Sequence, residues 1–221
     1  MASKKDKDHA RLLALLLAAY LLSQKQIMTL AQTIETGYLA SQQAAYREAA
    51  ATVGSDDATD WEPSPEQEDA AHEWAQAQAQ GIADTYKADL TSAIETYLNS
   101  YEQEVDSLDG AEAHAGSVLG EWATKRATWK SEQIANYSCG SGGDAGTQAF
   151  IVDLEGGNVI DSETGEAVEI GDYGIACLPE ESTNDVCASV AGQVFDISDR
   201  DSLPDMPAHG GCPHEYLIVS V

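Results

Sequence analysis

A chain of 221 residues, 43% of them hydrophobic, is long enough to bury a core as one large domain or two small ones, and a charged fraction of 22% is not that of a disordered polymer. The formal net charge of -27, from 38 acidic against 11 basic residues, opposes approach to DNA phosphates or anionic lipid and excludes nucleic-acid binding over a broad surface. Acidic residues are spread over all regions, and Arg200 alone is basic after Lys130. Such a surface suits molar salt, where a Debye length of roughly 3 Å screens its self-repulsion, so the composition points to a halophilic protein, with an acidic mesophilic protein or a DNA mimic as alternatives.

The apolar run at residues 12–22 follows a short basic start. It is too short for a hydrocarbon core of ~30 Å and has no small-residue cleavage site after it, so it reads as the start of a buried helix rather than a membrane span or signal peptide. From Asp8 to about Val53 there is no proline, and Ile27, Leu30, Ile34 and Tyr38 recur every three or four residues, which predicts one long helix. Gly54-Ser55-Asp56-Asp57 ends it. Pro63-Ser64-Pro65-Glu66-Gln67 restarts helix, with Ser64 as N-cap, Pro65 at the first helical position and Gln67 completing a capping box.

Along this second helix Ile82, Tyr86, Leu90, Ile94, Tyr97, Tyr101, Val105 and Leu108 form an apolar stripe that needs a partner helix. Asp109-Gly110 predicts a turn, and a third helix with Val118, Leu119, Trp122, Trp129 and Ile134 runs to about Asn136. Lys125, Arg126 and Lys130 beside the two tryptophans are read as partners for neighbouring carboxylates or a protein-docking point, not as a nucleic-acid platform.

After Tyr137 the pattern changes. Cys139-Gly140-Ser141-Gly142-Gly143-Asp144 is expected to be a connector, and 150–152, 159–160, 167–170, 194–197 and 216–219 read as short strands. The expected architecture is therefore α+β: long antiparallel helices over 1–137, a glycine-rich linker at 138–147, and a small β-rich domain over 148–221 stapled by Cys and His. Its thin core calls for a metal or a disulfide.

The four cysteines and five histidines supply the candidates. Thiolates and imidazoles suit Zn²⁺, and four such ligands give a closed, structural site. The chosen set is Cys187, His209, Cys212 and His214, with Cys177 as a substitute for one of them. A disulfide such as Cys177 to Cys187 stays open as an alternative, although no secretory signal accompanies the cysteines.

The stretch from Asp185 to Val219 resembles the C-terminal domain of tailed-virus minor head proteins, the phage Mu F-like head morphogenesis family. That family shows Asp-x-x-Cys-x-x-Cys-x-x-x-x-Gly, a strand, and Pro-x-His-x-x-Cys-x-Cys before a final strand. Asp185, Cys187, Gly192 and Val194-Phe195 follow the order of the first part, with one residue less between Asp185 and Cys187 and a shorter approach to Gly192, and Pro207, His209 and Cys212 match the second. Val190 replaces the second cysteine and His214 the last, so Cys177 is needed to complete a family-type metal site.

The resemblance implies a minor virion protein acting in head assembly. Its partner would be the portal, with major capsid or scaffold proteins as further candidates, and it would be made in the host cytoplasm and located in the virion head. Together with the acidic composition it implies a virus of a halophilic archaeon. The residues themselves show no nucleotide loop and no catalytic triad, and they predict no enzyme, no membrane contact, no sequence-specific nucleic-acid binding, and oligomerisation, if any, through the helices. The competing reading is a zinc-dependent hydrolase in which His209, Cys212 and His214 hold zinc and Glu215 acts as general base. An acidic mimic of DNA ranks last, because the carboxylates are distributed as solvated helix faces.

Overall fold

The computed structural model describes residues 22–56, 60–100, 108–179, 185–207, 212 and 214–221. Three long helices come first: α1 (Gln24–Thr52), α2 (Pro65–Ser100) and α3 (Leu108–Glu155). They lead to β1 (Tyr173–Leu178), the short α4 (Asp185–Ala188), β2 (Val194–Asp196) and β3 (Glu215–Ser220), with single 3₁₀ segments at Ile170–Asp172 and Ile197–Ser202. The α+β architecture expected from the sequence is the one that forms. No described helix is long and apolar enough to cross a membrane; the apolar run lies outside the described residues except for Leu22.

Local chemistry sets the helix ends. The Ser64 amide donates to Gln67 Oε1 at 2.7 Å and the Gln67 amide to Ser64 Oγ at 3.3 Å, the reciprocal box that the sequence predicts. Ser23 and Gln26 make the same box at the start of α1, at 2.8 and 3.3 Å. The single helix expected from Asp8 is thus corrected: Leu22 and Ser23 are non-helical and helix starts at Gln24. At the other ends, Gly54 (φ 76°) and Gly157 (φ 69°) take the left-handed conformation. Asn158 N–H then reaches Asp153 O and Gly157 N–H reaches Leu154 O, which closes the last turn of α3 in a Schellman pattern.

The glycine-rich linker expected at 138–147 is also corrected. α3 runs unbroken through it for 48 residues, and it takes in both the Asp109-Gly110 turn and the strand expected at 150–152. The reason lies in the partner. A Cβ on Gly142 would sit on the Tyr38 carbonyl oxygen, and one on Gly146 on the Gln42 carbonyl oxygen, both well inside contact distance. Glycine here allows close backbone approach between α1 and α3, not freedom to bend. The pairs 38/142 and 42/146, followed by Tyr46 edge-on to Phe150 at 5.5 Å, show the two helices running in the same direction. α2 runs the opposite way along α1, with Trp61 stacked on Tyr46 at 4.2 Å and His72 bonded to Glu35 at 2.8 Å.

The chain forms two compact units, one of residues up to Ala31 with Ala75–Ser131, the other of Gln32–Trp74 with Glu132–Val221. In the first, Ala31, Ala75, Ala79, Ala83, Leu90, Ile94 and Leu119 are buried. On α2 the buried line is alanine at every fourth position from Ala71, continued by Leu90 and Ile94, while Ile82 and Tyr86 are only partly covered. The side chains of 97–118, Trp122, Trp129, Lys125, Arg126 and Lys130 lie outside the described residues.

In the second unit one core is shared by the ends of α1 (Tyr46, Ala50, Val53) and α3 (Phe150, Leu154) and by the sheet (Ile175, Tyr216, Ile218). Among the described residues, the core of 148–221 is therefore one with these helices. The sheet is antiparallel in the order β2-β1-β3, with Ile175 opposite Phe195 and Ile218, and Cys177 opposite Tyr216. Expected strands at 194–197 and 216–219 form; those at 159–160 and 167–170 reduce to one bridge, Ile160 to Ala167. The central strand β1 is not among the expected ones. Its Gly-Ile-Ala-Cys stretch is buried at all four positions, so it carries no in-out alternation.

Candidate metal centre

Cys187 sits on α4, whose following turn folds back on β1: Val190 and Ala191 N–H donate to Cys187 O, and Gly192 N–H donates to Cys177 O at 2.8 Å. Gly192 has φ 70°, which a side chain resists, so the turn that brings α4 against β1 is written into that glycine. Cys212 and His214 arrive from the other side, immediately before β3, which is zipped to β1 from Glu215 onward. Two thiols and an imidazole thereby converge from segments about 25 residues apart.

Cys187 Sγ lies 3.3 Å from Cys212 Sγ, and Cys212 Sγ lies 3.5 Å from His214 Nδ1. All three ligand atoms fall within 4.8 Å of one another. A tetrahedral ion with Zn–S of ~2.3 Å and Zn–N of ~2.0 Å requires S···S near ~3.8 Å and S···N near ~3.5 Å, so the Cys187–Cys212 and Cys212–His214 spacings fit to within about 0.5 Å. The three residues are buried, at 0%, 7% and 3% exposure, and His214 Nε2 has no hydrogen-bond partner among the described residues. The nitrogen that faces Cys212 is Nδ1, so an ion held there would leave the proton of the ring on Nε2. The trio can hold a metal ion.

The other sequence candidates fall differently. Cys177 is fully buried nearby but stands outside the trio. Burial, reinforced by Cys187 and Cys212, pushes its thiol up to about 11, so the thiol is protonated at neutral pH. His209 lies outside the described residues. Cys139 is exposed on α3, and none of the four cysteines is in a disulfide, so Cys177 and Cys187 form none.

A cleft of about 480 Å³ opens beside the trio, lined among others by Cys212, His214 and Glu215, by Ser41 and Glu48 of α1 and by Cys139 of α3. Burial, and then the Glu48 carboxylate, push the Glu215 carboxyl above its ordinary range.

Sequence reasoning missed the group that places this end of the chain. Arg200 Nη2 donates to both oxygens of Asp144, at 2.7 and 2.8 Å, with both side chains buried. Met206 N–H adds a third bond to Asp144, and the guanidinium lies 4.9 Å from the centre of the Tyr216 ring. Tyr216 donates to Pro204 O at 3.0 Å and its carbonyl accepts from Thr147. Burial raises the Asp144 carboxyl while Arg200 pulls it back down. The one available signal was Arg200 itself, a lone base in an acidic third of the chain. Its pairing with α3 fixes both flanks of 208–211.

No family model, curated protein or solved structure matches the chain. Function has to be argued from the site and the fold.

Proposed function

We propose that this chain is a non-enzymatic structural protein of a tailed-virus head, associated with the portal, whose Cys187, Cys212 and His214 hold a structural Zn²⁺. The observation that carries the structural part is the burial of two thiols and an imidazole at contact distance in a core shared with α1 and α3. An ion there fastens the start of β3 to α4, and Cys177 or His209 is the protein's own source of a fourth ligand. The head assignment rests on the motif order from Asp185 to Val219, and the long helices supply docking faces for the portal and for capsid or scaffold proteins. The acidic surface suits assembly in the cytoplasm of a halophilic host.

One observation favours a second reading, a zinc-dependent hydrolase: the cleft brings Glu215 and Glu48 beside Cys212 and His214. Native mass spectrometry in volatile high salt, followed by chelation under circular dichroism, and capture of the portal protein encoded by the same genome test both readings. Bound zinc whose removal unfolds the C-terminal strands, with portal captured, supports the head protein. Hydrolysis of ester or amide substrates that Glu215→Gln abolishes would replace it with the enzyme.

A further inference from the structure

The two sulfurs of the trio are as well placed for each other as for an ion. Cys187 Sγ and Cys212 Sγ are 3.3 Å apart, and a disulfide of ~2.05 Å requires them to close by only about 1.3 Å. Their exposures differ. Cys212 lines the cleft beside α1 and α3, whereas Cys187 has no exposed surface and is absent from the cleft wall. A reagent entering the cleft therefore meets Cys212 first, with Cys187 directly behind it.

We infer that Cys187 and Cys212 are an oxidative modification site, in which a small organic disulfide converts the pair to an intramolecular disulfide and thereby excludes a metal ion. The Cys212 sulfur attacks one sulfur of the reagent, forming a mixed disulfide and expelling one thiolate. The Cys187 sulfur then attacks the Cys212 sulfur, forming the protein disulfide and expelling the second thiolate. The reagent is reduced to two thiols, the pair is oxidised by two electrons, and the protons of the cysteine thiols end on the two leaving groups. Because a sulfur bonded to sulfur is no longer a thiolate ligand, a metal ion and the disulfide cannot coexist. The bond rests on the thiol geometry alone; metal release rests on the zinc reading above.

Two neighbours could divert the reaction. Cys177 is buried on β1, held opposite Tyr216 and outside the trio. Cys139 is exposed and lines the same cleft, so it is removed as Cys139→Ser before the test. The full chain carrying that substitution is incubated with Zn²⁺ in high salt and titrated with 2-hydroxyethyl disulfide. Peptide mapping locates the bonds, and a colorimetric chelator follows free zinc.

The expected result is complete loss of the Cys187 and Cys212 thiols as a single bond, retention of the Cys177 thiol, and zinc release in step, reversed by dithiothreitol. A bond between any other pair, mixed disulfides alone, or no reaction at reagent concentrations that oxidise the urea-unfolded chain would each overturn the inference. His214→Ala separates the two readings, since it removes a metal ligand and spares both thiols. If zinc is never taken up but the 187–212 bond forms in both proteins, the metal reading fails and the modification site stands. If zinc binds and the bond does not form even after chelation, the modification site fails alone.

Discussion

Two places in the second unit hold the same helices and strands by opposite means. Where α1 meets α3, Gly142 and Gly146 supply no side chain at all, and the backbones touch the carbonyls of Tyr38 and Gln42. Where the chain ends, Cys187, Cys212 and His214 supply three polar ligand atoms packed together, with His214 Nε2 unpaired among the described residues. The seam tolerates nothing added. The corner is built from groups whose chemistry is to take another atom. Asp144 lies between the two glycines in sequence and reaches Arg200 near the corner, so one ion pair connects the two solutions.

Adding atoms to the seam disturbs the contrast most. Gly142→Val places a side chain where the Tyr38 carbonyl already sits, and unfolding by denaturant should show a loss above ~4 kcal/mol, in the range reserved for severe core disruption. Arg200→Ala comes next. It leaves a buried carboxylate without its cation at Asp144 and should cost about 3 kcal/mol by the same measurement, while also weakening retention of the metal ion proposed for the trio.

Tyr46→Phe probes the seam side at smaller cost. The phenol donates to Asp153 Oδ2 at 2.7 Å, and its loss should destabilise by about 1.5 kcal/mol at neutral pH. Burial, then that hydrogen bond and the Asp153 charge, hold the phenol well above its ordinary range. A pKa raised by folding gives stability that is complete below the unfolded value of about 10 and is lost as pH climbs past it. The wild type should therefore weaken above that pH, and Tyr46→Phe should weaken less steeply in a series of melts.

Ser64→Ala removes a cap remote from both places and should cost about 1 kcal/mol, with no change in metal content. The smallest change has the opposite sign. A Cβ on Gly143 meets nothing within 4 Å, so Gly143→Ala should raise stability by about 0.5 kcal/mol, as expected if α3 accepts helix formers wherever the seam does not forbid them.

Legibility in the sequence tracks the range of the interaction. The Ser64-Pro65-Gln67 start and the Gly54 stop are local, and they form as written. The Ser23–Gln26 box is equally local, but the apolar run ahead of it suggests continuity. Gly140 to Gly143 reads as linker because glycine is ambiguous between bending and close approach, and the partner that decides is a hundred residues earlier. The four-residue spacing of Ser138, Gly142 and Gly146 is the only local sign.

The run at 150–152 is apolar enough for a strand. Its helical period appears only when Phe150, Ile151 and Leu154 turn inward and Val152 stays 66% exposed. At the corner, residue type is informative, so Cys187, Cys212 and His214 are found. Which of the remaining ligands would join them depends on strand register, and β1 holds Cys177 opposite Tyr216, outside the trio. The Asp144–Arg200 pair joins a helix to a 3₁₀ segment 56 residues away and leaves no periodic trace.

Two bonds that join α1 and its C-terminal turn to later parts of the chain span long stretches of sequence: Tyr46 to Asp153 across 107 residues, the Asp56 amide to Ser162 across 106. Contacts of that separation form slowly, because the loop must close before anything rewards it. During synthesis α1 emerges well ahead of α3, and its Tyr38–Gln42 carbonyl strip waits for glycines not yet made. Cys187 and Cys212 are made after both helices, so the corner is the last part of this core that can close.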